Sequence, residues 1–327
     1  MISIKKYKKN YNKIWDNFIK NSNNGTIFHT QKFLSYHKDR LFNDHSLLFY
    51  NKHDLVAVLP AAKITKNKIT TLYSHPGASY GGLITSQQLR LESLNNIIIA
   101  LNKYCHRRNF DRLTMILTPS IYLKNRHDLQ EYALIWNQFK QQESYISHAT
   151  NLYNVSCPLS KLDKRKKRYI QKLNIENTFV IKNSRDIDVF YPILVASKNE
   201  FGIKPTHSKQ ELIRLMKIFP KNIVLQLSYK NDVVAGGSLT FIANDKSSLV
   251  FYNVVKKEYK KSQLSSLQLY FCMQLTINQK LDYIDFGVSH LPKEDNPLTP
   301  KFSLINFKEQ FGAYGIMRKI YQKDFGA

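Results

Sequence analysis

The sequence predicts an α/β protein of the α+β kind, made of two similar units in tandem, each with a mixed central sheet. Three observations predict it. One phrase is written twice, as "YNKHDLVAVLPA" (Tyr50 to Ala61) and "YKNDVVAGGSL" (Tyr229 to Leu239). The elements that follow each copy come in the same order at nearly constant spacing. The chain has 327 residues, 43% of them hydrophobic, which is enough to bury two cores of ordinary domain size.

Aligning Asp54 with Asp232 sets the offset at 232 − 54, or 178. "DLVAVLP" then faces "DVVAGGS", and upstream "LLFYNK" faces "QLSYK". These alternating runs about Asn, Lys, His and Asp predict a strand, a tight turn and a strand. The same offset lays "TLYSH" (Thr71 to His75) on "LVFYN" (Leu249 to Asn253), a third strand rich in aromatic and β-forming residues. "LESLNNIIIALNKYCHRR" (Leu91 to Arg108) predicts a helix with Leu94, Ile97, Ile98 and Leu101 on one face, and "SSLQLYFCMQLTINQ" (Ser265 to Gln279) is its counterpart. A turn and a further strand close each unit, "NFDRLTMIL" (Asn109 to Leu117) and "KLDYIDFG" (Lys280 to Gly287). The offset there is 280 − 109, or 171, as drift in loop length gives.

The predicted boundaries are a first domain at 1–155, a basic linker helix at 156–175, and a second domain at 176–327. The C-terminal strand is left free to pack back on the first domain. The join, "CPLSKLDKRKKRYIQKL" (Cys157 to Leu173), has six basic residues among the eight from Lys161 to Arg168. Helical spacing puts Lys164, Arg168 and Lys172 on one face. That face reads either as a solvated surface or as a landing strip for phosphates.

The formal net charge is +25 and the pI near 9.8. Such a balance points to an anionic partner: nucleic acid, a membrane surface or a phosphate-bearing substrate. The three cysteines are scattered with no CxxC, which fits a reduced, cytosolic setting. The opening "MISIKKYKKNYNKIW" has charge but no apolar core of a signal peptide, and the longest apolar run, near "IIIAL", is too short to cross a bilayer. No HExxH, GxSxG, GxxxxGK[ST] or GxGxxG occurs, so hydrolase, kinase and dinucleotide readings lack support. No metal site is expected, since no histidine stands at metal spacing from a second ligand.

Three stretches could carry chemistry. "YSHPGASYGGLI" (Tyr73 to Ile84) forces an irregular backbone, and its glycines allow close approach to a ligand. His75, Gly77, Ser79 and Tyr80, with Lys38, are the candidate acceptor contacts. "DYIDFGVSHLP" (Asp282 to Pro292) puts Asp285 at the end of a buried strand, suited to taking an amine proton or orienting a substrate. "INFKEQFGAYG" (Ile305 to Gly315) sets Lys308 between Phe307 and Phe311, where it could steady an oxyanion.

These stretches, in this order and with the duplication, resemble the FemAB family. Its members carry two tandem domains of the acyl-CoA N-acyltransferase, or GNAT-like, fold. The resemblance spans essentially the whole chain: "NGTIFHTQKFL" (Asn24 to Leu34) is similar to the family's opening, "RKKRYIQKL" to its segment between domains, and "VAGGSLTF" with "NFKEQFGAYG" to its closing signature. The resemblance implies transfer of an acyl or aminoacyl group onto an amine, from aminoacyl-tRNA in the best-known members. "SHPGASYGGLI" looks like the branch found with polysaccharide assembly. Lys308 matches the family lysine implicated in substrate or transition-state contact, Phe307 its aromatic neighbour, and Tyr252 a substrate-contacting aromatic after a strand. The helix around "THSKQELIRLM" (Thr206 to Met216) gives no clean match to the family's muropeptide contacts, and no heptad-bearing arm is present.

The expectation is therefore an N-acyltransferase. It would act on the amino group of a phosphate-bearing cell-envelope precursor: a nucleotide-sugar, a lipid-linked saccharide or a peptidoglycan precursor. No cofactor is required, since the acyl donor, aminoacyl-tRNA or acyl-CoA, is a co-substrate. Lys260, Lys261 and Ser262 (the last as a helix N-cap), with Arg165 and Arg168, are the candidate donor or phosphate contacts. That helix start has no glycine, which weakens a CoA donor. Two alternatives stand: an acetyl-CoA-dependent amino-sugar N-acetyltransferase, and a non-enzymatic nucleic-acid-binding protein. The expected place is the cytoplasm, with peripheral contact to the anionic inner face of the membrane and tRNA as a further partner.

Overall fold

The computed structural model describes residues 1–37, 42–291 and 294–326. Lys38, an expected acceptor contact, lies outside the described residues. The chain forms two compact units, Met1–Tyr145 with Met317–Ala327, and Ile146–Ile316.

The first unit runs β1 (Ile2–Lys6), α1 (Asn12–Asn21), α2 (Gln31–Leu34), β2 (Leu47–Asn51), β3 (Asp54–Leu59), β4 (Ala62–Lys66), β5 (Ile69–Ser74), β6 (Ile84–Thr85), α3 (Leu91–Arg107), β7 (Arg112–Ile116) and α4 (Leu129–Trp136). It then enters β8 (Lys140–Asn151). One sheet has the order β1-β2-β3-β6. In the other, β5 pairs antiparallel with β4 and parallel with β7. The sequence predicts a strand over "DLVAVLP" and none at β4, whereas the extended run from Asp54 to Lys66 is split in two. Pro60 divides it, because proline has no N–H for a ladder. As a result β3 pairs with β2, and β4 pairs with β5. Leu94, Ile97, Ile98 and Leu101 all turn inward from α3 onto Leu72, Leu113 and Met115 of the core.

The second unit continues with α5 (Lys164–Ile175), β9 (Val180–Ser184), α6 (Ile187–Asn199), α7 (Lys209–Ile218), β10 (Ile223–Lys230), β11 (Val233–Ile242), β12 (Ser247–Val255), α8 (Leu264–Asn278), β13 (Tyr283–Val288) and α9 (Phe302–Glu309). The last strand, β14 (Tyr314–Asp324), ends in the first unit, antiparallel to β7. Here β11 is unbroken and pairs with both β10 and β12. The β10–β11 turn is Asn231-Asp232, both at positive φ, as a two-residue hairpin turn of the I′ kind needs. Gly236 is required by packing: a Cβ there would sit 2.5 Å from the Val254 carbonyl oxygen and 2.7 Å from Gln268 Nε2. Gln268 thus comes down from α8 to donate to Ser228 Oγ at 2.9 Å.

The two units share their topology: an antiparallel pair, a helix, and a strand returning parallel to the second of the pair. They also share one helix stop. Asn109 (φ 52°) after α3 and Lys280 (φ 58°) after α8 are both left-handed. The next N–H in each case reaches back five residues, Phe110 to Cys105 at 3.0 Å and Leu281 to Thr276 at 3.1 Å. Both are Schellman-type ends that satisfy late helix carbonyls.

The basic join folds as α5 and packs on α8. Asp163 caps it, accepting from the Lys166 N–H at 2.6 Å. Lys164, Arg165, Lys167, Arg168 and Lys172 are exposed. Lys166 is buried: its ammonium donates to Gln263 Oε1 and Ser266 Oγ, both at 3.0 Å, and lies 4.9 Å from the Phe307 ring centre.

Candidate functional site

In the second unit β12 and β13 pair only at Ser247–Leu249 with Tyr283–Asp285. Beyond that, β13 bulges away against β8, where the register slips between Asp285 and Val288. Gly287 makes the bulge with φ +75°, and a Cβ there would meet only the Val250 carbonyl oxygen, at 3.9 Å. A bulge of this kind re-aims backbone groups. Here it turns the carbonyls of Gly287 and Val288 toward α9.

Lys308 fills that position from α9. Its Nζ donates to the Gly287 carbonyl at 2.6 Å, the Val288 carbonyl at 3.0 Å and Ser289 Oγ at 2.8 Å. It is 4% exposed, and burial pushes its ammonium down to about 8, opposed by the nearby charge of Asp285. Asp285 is fully buried. It accepts from Ser147 Oγ at 2.5 Å and from the Gly287 N–H at 2.7 Å, so its carboxylate pins the bulge. It sits mid-strand in β13 and not at the strand end expected from sequence, because β13 runs on through the bulge to Val288. His148 of β8 lies beside Ser289, Nδ1 to Oγ 3.5 Å. Burial and then the Lys308 charge hold its imidazole below the usual histidine range. Phe307 stacks edge-on with Phe311 at 5.4 Å, with Lys166 over its face. Ser147, His148, Ser289 and Lys166 escaped the sequence reading. The alternation of "YISHATN" marks a strand but does not reveal a partner 138 residues away.

Tyr252 is buried, its hydroxyl 3.1 Å from His207 Nδ1, and burial raises it to about 12. Of the expected donor contacts, Lys260 is ion-paired with Glu200. Lys261 is exposed, as are Arg165 and Arg168. Ser262 is not the N-cap of α8. Its hydroxyl donates to the Tyr259 carbonyl at 2.6 Å, closing a 3-10 turn, and the left-handed Gln263 takes the cap position.

The first unit treats its parallel pair differently. β5 and β7 stay paired from Thr71–Arg112 to Ser74–Met115. The glycine loop then folds back over their ends: the Gly81 N–H donates to the Ile116 carbonyl at 2.9 Å and the Gly82 N–H to Ser74 Oγ at 2.5 Å. Tyr80, expected to face a substrate, is instead a core residue. Its ring packs on Phe28 and Tyr122, and Arg318 covers it at 4.8 Å. An aromatic amid glycines reads as a loop contact, yet its apolar area is worth more inside. The Ser79 carbonyl accepts from Arg318 at 2.6 Å, and the Gly77 carbonyl lies 2.8 Å from His37 Nε2. His75 lines a cavity of about 860 Å³ with His37, Phe42, Lys8, Lys13 and Lys32. Burial lowers His75 to about 4, so its imidazole is neutral at pH 7.

Among the described residues, no group of three or more His, Cys, Asp or Glu could hold a metal ion. No helix there is long and apolar enough to cross a membrane.

Topology of this kind, twice in one chain with a splayed parallel pair in the second copy, defines a tandem GNAT fold. The protein superposes on the crystal structure of FemX with a TM-score of 0.73 and 11% identity, over 98% of this chain and 97% of that one. A tandem GNAT protein from the clavulanic acid biosynthesis pathway gives 0.55 and 9%, over 100% and 99%. L-PGS from Bacillus licheniformis gives 0.54 and 9%, over 85% and 83%. No protein-family model and no curated protein matches the sequence.

Proposed function

We propose that this protein is an N-acyltransferase of the FemAB-like kind. It transfers an acyl or aminoacyl group to the amine of a phosphate-bearing cell-envelope precursor on the cytoplasmic side of the membrane. The observation that carries the proposal is the buried Lys308 held behind the β13 bulge, at the place where β12 and β13 part.

In the reaction a neutral amine attacks an ester or thioester carbonyl. The C–N bond forms, the oxyanion collapses, the alcohol or thiol leaves, and the amine gives up one proton. Lys308 supplies the positive charge that favours the oxyanion. All three of its hydrogens already have acceptors, so a reacting oxygen would have to displace Ser289 Oγ, the one acceptor that can rotate away. Preorganised charge of this sort is worth about 3–4 kcal/mol of barrier. Asp285 already accepts two hydrogen bonds, which suits it to orientation. His148, neutral and beside Ser289, is the better placed proton acceptor.

The test is transfer by purified protein from charged tRNA, or from acetyl-CoA, to precursor amines. Consumption of charged tRNA supports the aminoacyl reading, and release of CoA thiol supports the amino-sugar acetyltransferase. Tight nucleic-acid binding unchanged by Lys308→Ala, with no turnover of any donor, would favour the binding protein.

A further inference from the structure

We infer that Tyr132, Trp136 and Glu92 form a binding site for an organic ammonium group in the first unit. The inference goes beyond the acyl-transfer reading and uses none of its residues. A hollow of about 310 Å³ lies between the first turn of α3 and the outer side of α4. Leu91, Glu92, Asn95, Tyr132, Ala133 and Trp136 line it. That volume is at the small end for ligand pockets and suits a single head group.

The two rings stand four residues apart on α4, where helical spacing makes side chains neighbours. Their centres are 6.4 Å apart and their planes 18° from parallel. Tyr132 is 54% exposed and Trp136 69%, whereas the chain's other tryptophan, Trp15, is fully buried. Large aromatic side chains left together in water mark a place of contact. Asn95 fixes the frame: its Oδ1 accepts from Asn137 Nδ2 at 2.7 Å, which ties α3 to the end of α4.

Charge decides what the rings take. Glu92 is the one charged residue lining the hollow. Among the described residues it has no ion-pair or hydrogen-bond partner. Lys and Arg number 49 against 24 Asp and Glu, so an acid left unpaired here is not short of basic side chains to choose from. The start of α3 favours an acid at Glu92 but explains neither ring. Aromatic faces carry negative potential, as the carboxylate does, so all three groups attract a cation and repel an anion. An apolar guest would gain from the rings and nothing from Glu92. The carboxylate also disfavours an anionic leaflet, and a net charge of +25 on each chain disfavours a second copy.

Trp136 fluorescence reads the site directly, because Trp15 is buried away from solutes. Choline, titrated into the full chain at fixed ionic strength, is expected to change that emission saturably in roughly the millimolar range. Its neutral isostere, with carbon in place of the ammonium nitrogen, should bind at least about fivefold more weakly. Tyr132→Leu keeps apolar bulk but removes a ring; it and Glu92→Gln should each weaken choline about two- to fivefold. Glu294→Gln, at an exposed acid of the second unit, should leave binding unchanged. No response to choline, an equal response to the isostere, or wild-type affinity in both Tyr132→Leu and Glu92→Gln would overturn the site. Phosphatidylcholine vesicles separate the sources. A response at lower headgroup concentration than free choline assigns the ammonium to a membrane surface, and a response to free choline alone assigns it to a soluble molecule.

Discussion

Lys308 Nζ stands 2.8 Å from Ser289 Oγ, and two backbone carbonyls of the β13 bulge hold its other two hydrogens. Removing that cation should slow transfer far more than it weakens substrate binding. Lys308→Met is expected to lower kcat by roughly 10²–10³, as loss of a preorganised oxyanion donor does elsewhere, with KM little changed. Equal loss in KM alone would instead mark Lys308 as a binding residue.

The same lysine makes stability depend on alkali. Its folded value is about 8, below the ordinary lysine value of 10.5. Between those values the unfolded chain binds more protons, so stability rises as pH climbs from about 8 to 10.5. The gain is at most about 3 kcal/mol. Urea midpoints across that range should rise for the wild type relative to Lys308→Met, and parallel curves would refute the assignment.

Acid should act on the first unit through His29. Its imidazole is fully buried, and Nδ1 accepts from the Thr26 N–H at 2.9 Å. Burial lowers it to about 3 from 6.5, so the unfolded state takes up a proton that the folded state refuses, and stability falls as pH drops through 6.5. Asp16 and Asp44, raised by burial, push the other way at lower pH. His29→Gln keeps an acceptor for Thr26 and should flatten the wild-type slope between pH 6 and 5 by about 1 kcal/mol per unit.

Within the basic segment only one lysine should matter to the fold. Lys166→Ala removes the partner of Gln263 and Ser266 and is expected to cost about 2 kcal/mol in chemical denaturation. Lys164→Ala and Arg168→Ala, both exposed, should stay within about 0.5 kcal/mol. Equal effects at all three positions would mean that Lys166 is not seated as described.

Lys280 offers a stabilising change. It is a β-carbon-bearing residue held at φ 58°, where glycine is unstrained. Lys280→Gly should raise stability by about 0.5–1 kcal/mol, and Asn109→Gly by less, because asparagine tolerates that conformation. A fall in melting temperature for Lys280→Gly would contradict this.

The repeated topology was legible because it is written in local periods. Hairpin alternation, the inward face Leu94-Ile97-Ile98-Leu101 and the turn after each helix each lie within a short window of sequence. The site was legible only in part. Lys308 and Asp285 stand out as a charge beside aromatics and a carboxylate in an apolar run. Their surroundings do not, because Ser147 and His148 reach them across the sheet from a strand far away in sequence. Lys166 looks like its exposed neighbours, and only the packing of α5 on α8 tells them apart. Ser262 failed as a cap because a 3-10 turn takes its hydroxyl first. The break at Pro60 is legible in the sequence, since a proline inside a strand pattern removes a ladder donor.

Pro60 has a consequence for how freely the first unit can change. A single missing amide hydrogen hands the residues on either side to different neighbours. Leu59 answers to β2 in one sheet and Ala62 to β5 in the other, and an alteration in one sheet need not propagate to the other. Its uninterrupted twin, β11, has no such freedom: anything that shifts one edge of that strand must disturb both.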